Sequence, residues 1–245
     1  MTNIFPLILS FIAGISTVIG SLFIFLKIKK VGEFIVFSLS FSLGIMTLIS
    51  LFDLIPSSYP IIIDNYGFIY GIVIFILIFL LGYQSVKLIN DKIKSDGSSL
   101  YRIGILSMIS LVLHNIPEGI AVFIGTLTNT SIGIKLCIAI MLHNIPEGIA
   151  ISIPLYYSGV GKKKVILRTL LSGLTEPFGA LLAYLIFRNF INEIFLSMIL
   201  VFVSGLMISL SLNDILKEIM KYKKFKYMVY GIISSVILFI LTIII

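Results

Sequence analysis

Both histidines of this 245-residue chain stand in the same nine-residue setting. Leu113-His114-Asn115-Ile116-Pro117-Glu118-Gly119-Ile120-Ala121 recurs without change from Leu142 to Ala150, 29 residues later. On a helix, His at i and Glu at i+4 share a face one turn apart, and Asn at i+1 lies three residues before that Glu. Each copy therefore offers an imidazole, an amide oxygen and a carboxylate to one neighbouring space. Pro at i+3 lacks an N–H and presses on the preceding turn, which frees the carbonyls of Leu113 and Leu142 and bends each helix beside its polar groups. Gly119 and Gly148 leave room for close helix approach. A third carboxylate, Glu176, lies in Ser172-Gly173-Leu174-Thr175-Glu176-Pro177-Phe178-Gly179-Ala180, again beside a proline and small residues. Imidazole, amide and carboxylate together suit Zn²⁺ or Fe²⁺, and other first-row divalent ions as well. Three carboxylates suffice for one divalent ion, and a bridging Glu lets two ions share them.

The elements that carry these groups are set by a medium other than water. The chain is 59% hydrophobic and 12% charged, with mean hydropathy +1.17, against about 25% charged and 45–50% apolar for a soluble domain. This composition excludes a cytosolic enzyme, and it excludes nucleic-acid binding despite a net charge of +7. The single cysteine, Cys137, rules out an intrachain disulfide. Eight apolar stretches are long enough to span a bilayer, at about 4–26, 34–55, 67–89, 103–127, 134–157, 165–187, 195–216 and 227–245. With short connections, they predict an all-α polytopic fold and a single transmembrane domain, 1–245. The first stretch reads as a span and not as a cleavable signal peptide, because no Lys or Arg precedes it.

Sixteen of the eighteen basic residues fall in or beside the odd-numbered loops, leaving only Lys135 and Arg188 for the even ones. The positive-inside rule then places the odd loops in the cytoplasm and both termini outside. The two identical motifs sit near the middle of consecutive, hence antiparallel, spans. That arrangement predicts a pseudo-two-fold axis in the membrane plane, an inverted repeat. Glu118, Glu147 and Glu176 have no Lys or Arg at comparable depth. A charge there costs about 2.5–3.5 kcal/mol even on the lenient insertion scale, so a cation is expected to neutralise them. Asp53 is expected near the outer end of span two, within reach of the interface, and Asp214, beside Asn213, near the cytoplasmic end of span seven. Ser38, Ser40, Ser42 and Gly44 read as helix-packing residues.

The doubled His-Asn-Ile-Pro-Glu-Gly motif and the Ser172–Pro177 segment resemble helices four, five and six of the ZIP (Zrt-/Irt-like) metal transporters, most closely the ZupT branch. The resemblance extends over all eight spans. It implies a binuclear mid-membrane site: one metal on His114, Glu118, His143 and Glu147, and a second on Asn115, Glu118, Asn144, Glu147 and Glu176, with Glu118 and Glu147 bridging. It further implies a multi-pass plasma-membrane carrier that brings Zn²⁺ first, with Fe²⁺, Mn²⁺, Co²⁺ and Cd²⁺ as alternatives, into the cytoplasm. The metal is then cargo rather than a cofactor, and the partners are divalent ions and the lipid bilayer. A homodimer is one arrangement this topology allows. Asp53 and Asn213-Asp214 fall where such transporters have polar or acidic residues leading towards the site, although Glu is commoner at the first position and an acidic residue at Asn213. The 90–102 loop has no histidine, unlike the His-rich loop of many members. The rival from another class is an intramembrane metal-dependent hydrolase, but the zinc-protease spacing His-Glu-x-x-His is absent. An organic-solute carrier is disfavoured by the lack of a central basic group or any Trp.

Overall fold

A computed structural model describes residues 4–92, 98–185 and 193–244, and every regular element among them is helical. Eight helices are long and apolar enough to cross a membrane: α1 Ile4–Phe25, α2 Val31–Tyr66, α3 Phe68–Ile89, α4 Ser99–Thr128, α5 Thr130–Tyr157, α6 Lys162–Leu185, α7 Glu193–Lys221 and α8 Phe225–Ile244. Each expected apolar stretch maps to one of them. Lys94 and Arg188, counted in the charge split, and the middle of the 90–102 loop lie outside the described residues.

Two helices outrun the hydropathy reading. The second stretch was expected to stop at about 55, before Pro56, yet α2 continues to Tyr66. Its backbone widens into a π turn over Ser50–Leu54, immediately before Pro56. An α-helical turn would crowd the ring and lose a hydrogen bond there, whereas the wider turn absorbs both effects. Asp53 is consequently thirteen residues from the end of α2 and not at its outer end. A matching π turn over Ser211–Ile215 interrupts α7, which runs on to Lys221.

These π turns expose a second internal repeat, at an offset of 161. Phe41, Gly44, Met46, Ser50, Leu51 and Asp53 of α2 correspond to Phe202, Gly205, Met207, Ser211, Leu212 and Asp214 of α7. A third relation, at an offset of 159, links α1 to α6. Gly14 and Gly173 abut each other's backbone carbonyls, so a Cβ on either would collide with the other's oxygen. Gly148 of α5 lies against the carbonyl of Thr17 on α1, while Gly119 of α4 lies against that of Glu176 on α6. Asn144 donates to the Ala13 carbonyl at 3.0 Å, and Asn115 donates to the Ser172 carbonyl at 3.2 Å. Ala13 and Ser172, Gly14 and Gly173, and Thr17 and Glu176 are thus equivalent pairs, with the Gly14–Gly173 contact at the pseudo-two-fold.

The principal core is apolar and joins α2, α5 and α7 through residues such as Leu39, Met46, Ile151, Ile153, Leu206 and Met207. Ser38, Ser40 and Ser42 are buried, and Gly44 packs against Ser235 of α8, as expected of packing residues. Cys137 is buried and its thiol donates to the Leu9 carbonyl at 3.3 Å. Helices α3 and α8 remain mostly exposed at the periphery, where their apolar faces meet lipid.

Candidate metal centre

Helices α4, α5 and α6 bring all seven expected side chains into one buried region. His114, Asn115, Asn144, Glu147 and Glu176 are fully enclosed, and Glu118 and His143 nearly so. The centre of the cluster is Glu118: its Oε1 lies 2.8 Å from His143 Nε2 and 3.1 Å from His114 Nε2. His114 Nε2 is also 3.5 Å from Glu147 Oε1, and the two imidazole centroids are 6.3 Å apart. One ligand atom each from His114, Glu118 and His143 falls within a 4.8 Å sphere of mutual separation, a spacing that can hold a metal ion. Glu147 approaches from α5 beside this trio.

The amides are aimed by what they donate to. Asn115 and Asn144 spend N–H groups on backbone carbonyls of α6 and α1, and Asn144 also donates to Glu176 Oε2 at 2.9 Å. Their Oδ1 atoms are left buried and without a hydrogen-bond partner, as are Glu118 Oε2, both Glu147 oxygens and Glu176 Oε1. Buried acceptors without donors cost free energy. Six such oxygens converging from three helices have the chemistry of a cation cradle. Among the described residues no Lys or Arg pairs with Glu118, Glu147 or Glu176; Glu118 and Glu147 face imidazoles and Glu176 an amide.

The local chain explains this convergence. The glycine four residues after each Asn permits near-backbone contact between α4 and α6 and between α5 and α1, bringing the polar faces of the prolyl turns inward. In α6 the helix is interrupted at Leu174, and Pro177 cannot donate to the Gly173 carbonyl. Thr175 caps the break by donating to Ser172 O at 2.5 Å. Ser172, Gly179, Ala180 and Ala183 are buried beside Glu176, which the small-residue pattern had suggested.

A cavity of about 430 Å³ reaches this cluster from one side. Asp53, Ser57, Glu118 and His143 line its polar part, and Leu196 and Phe239 are among its apolar walls. Its residues come from the halves of α2, α4, α5, α7 and α8 that adjoin the even loops and the C-terminus. Asp53 is therefore a cavity residue, in the place leading towards the site that the resemblance implied. On α7, Asn213 of the equivalent π turn donates to Tyr83 Oη at 2.8 Å and to Ser209 Oγ at 3.3 Å.

A family model described as ZIP zinc transporter matches residues 84–245. The chain belongs to the ZIP family. ZIP relatives of similar length include the zinc transporter ZupT of Oceanobacillus iheyensis, 36% identical across 94% of each chain. That of Streptococcus mutans is 35% identical, covering 94% of this chain and 93% of the relative. The zinc transporter ZupT of Clostridium perfringens is 32% identical over 94% and 92%. Within this ZIP chain the matched segment contains every one of the seven clustered residues, and the eight apolar helices make it a multi-pass membrane protein.

Proposed function

We propose that this ZIP chain is a single-domain carrier of divalent metal in the cell membrane, with zinc its first substrate. In this reading His114, Glu118, His143 and Glu147 hold one ion. Asn115, Asn144 and Glu176 complete a second position with the two shared carboxylates. The observation that carries it is the set of buried, donorless oxygens around two imidazoles, with no Lys or Arg among the described residues to balance three glutamates. The relatives named as zinc transporters support the same chemistry.

Charge and cavity together support inward transport. The cavity adjoins the even loops, which the lysine distribution places outside. An ion entering there meets Asp53 first and then Glu118 and His143. Closing that side and opening the lysine-rich side, by rocking of α1, α4, α5 and α6 against the remaining helices, delivers it to the cytoplasm. Iron, manganese, cobalt and cadmium are the competing cargoes to test. The decisive experiment is competition uptake in proteoliposomes: zinc accumulation, suppressed by excess of a second transported metal, is expected. Hydrolytic activity without zinc accumulation would overturn transport in favour of an intramembrane metalloenzyme.

A further inference from the structure

A groove outside the metal centre runs along the surface beside the seam of α2 and α8. At its lysine-rich end it is lined by Lys30, Glu33, Phe34, Phe37, Tyr227 and Tyr230. Phe37 also opens the next section, which is almost wholly apolar and continues past Phe41, Ser234 and Leu238 to Ile145 and Pro146 on the back of α5. The rings of Phe37 and Phe41 stack one turn apart, centroids 6.2 Å apart at 7°, and form a flat floor. Gly231 sets α8 against the backbone of Phe37, so the seam itself is closed and the groove lies on the lipid side.

Length, polarity and charge all change along this groove as they do along a phospholipid. From Lys30 to Phe41, and from Tyr227 to Leu238, is eleven residues, about 16 Å of helix. That equals about one leaflet of a hydrocarbon core ~30 Å thick. The polar end lies at headgroup level, where Tyr rings and lysine ammoniums belong. Glu33 there is held by Lys30 and Lys224, each at 3.8 Å, and by the Tyr227 hydroxyl. Lys226 lies over the Tyr230 ring at 5.7 Å. Three lysines therefore stand against one carboxylate, an excess of positive charge at the mouth of an apolar channel.

We infer that this groove is a binding site for an anionic phospholipid of the lysine-side leaflet, its phosphate at Lys30, Lys224 and Lys226 and one acyl chain laid over Phe37 and Phe41 to Pro146. The apolar section distinguishes this ligand from free phosphate, which has no use for it. A zwitterionic lipid fits the channel equally but gains nothing from the lysines.

The chain lacks Trp, so one introduced Trp reports alone. Phe41→Trp replaces ring with ring inside the groove, and Leu238→Trp serves as an independent second reporter. Ile240→Trp, on the exposed face of α8, is the bulk-lipid control. Each full-length variant is reconstituted in phosphatidylcholine vesicles containing a small fraction of brominated phosphatidylglycerol or brominated phosphatidylcholine. Quenching of the groove tryptophans is expected to show about tenfold higher apparent affinity for the anionic lipid, from the attraction of an excess of lysines. The Ile240→Trp control is expected to show no preference. Lys30→Gln/Lys224→Gln/Lys226→Gln should erase the groove preference, and inorganic phosphate at matched ionic strength should leave it intact. Equal quenching by both lipids in the groove, preference surviving the triple replacement, or loss of preference to inorganic phosphate would each overturn the assignment.

Discussion

Glu118 is the residue on which the centre turns, because both imidazoles address one of its oxygens while the other is left without a donor. On the proposed ligand set, Glu118→Gln or His143→Ala should abolish zinc uptake in proteoliposomes at unchanged expression, since each alters a side chain of the cluster that the cavity reaches. Asn115→Ala should reduce uptake while retaining a measurable rate, because in the proposed arrangement its oxygen serves only the second position. Full uptake by Glu118→Gln would dismiss the ligand set. Proton linkage belongs to the same groups. Imidazole must be neutral and carboxylate ionised to ligate, so metal displaces whatever protons they carry. Affinity is therefore expected to be highest at mildly alkaline pH and to fall as pH drops through the imidazole range, near 6.5 for an ordinary histidine. Calorimetry of zinc binding in buffers of different ionisation enthalpy reads the released protons; buffer-independent heats with pH-independent affinity would contradict the assignment.

At the scale of elements, two devices aim these side chains: glycine contacts and π turns. A side chain added at Gly119 or Gly148 meets a neighbouring backbone carbonyl, which cannot move as a flexible side chain could. Gly119→Val and Gly148→Val should therefore each destabilise by about 1–3 kcal/mol through overpacking and should spread α4 from α6 or α5 from α1. Gly161→Ala, with open space around it, should stay within about 0.5 kcal/mol of the parent. Thermal unfolding in detergent distinguishes these cases, and equal stability of all three variants would show that the close approaches do not matter. The π turn of α2 carries Asp53 into the cavity. Asp53→Leu should raise the KM for zinc with little change in kcat, since on the proposed route the ion meets this cavity residue before the buried cluster; a fall in kcat alone would place Asp53 in the translocation step instead.

For the whole molecule, the repeats tie the parts together. Helices α4 and α5 exchange places about the pseudo-two-fold, α1 exchanges with α6, and α2 with α7. Yet chemistry breaks the symmetry: Glu176 on α6 has Thr17 as its counterpart on α1. The two ends of the cluster are therefore chemically unequal, as the two proposed metal positions require. Orientation is testable with single cysteines. Asn129→Cys, at the exposed α4–α5 turn, should react with an impermeant maleimide from outside intact cells, and Lys163→Cys only after permeabilisation. Buried Cys137 adds no background. The reverse pattern would turn the carrier over in the membrane and make the cavity a cytoplasmic one.

Composition and one repeated motif sufficed for the helical fold, the eight spans and six of the seven candidate ligands, with Glu176 read from its own segment beside Pro177, because this information is local. A bilayer demands long apolar helices wherever they pass, and His, Asn and Glu within five residues share a helical face before any packing occurs. The antiparallel placement of the two copies followed from counting spans. What the chain did not reveal locally was how far α2 and α7 run, since hydropathy cannot detect a π turn that accommodates Pro56. The weaker repeats at offsets of 159 and 161 were present in the residues, but single matches such as Gly14 with Gly173 gain meaning only when the two backbones touch. Tertiary structure also decided that Asp53 lines the approach to Glu118, that Asn213 turns to Tyr83, and that the amide hydrogens are spent on backbone carbonyls so that their oxygens face inward. Each of these depends on groups brought together from distant parts of the chain, and their separation in space is set by close packing between helices, which no window along one helix contains.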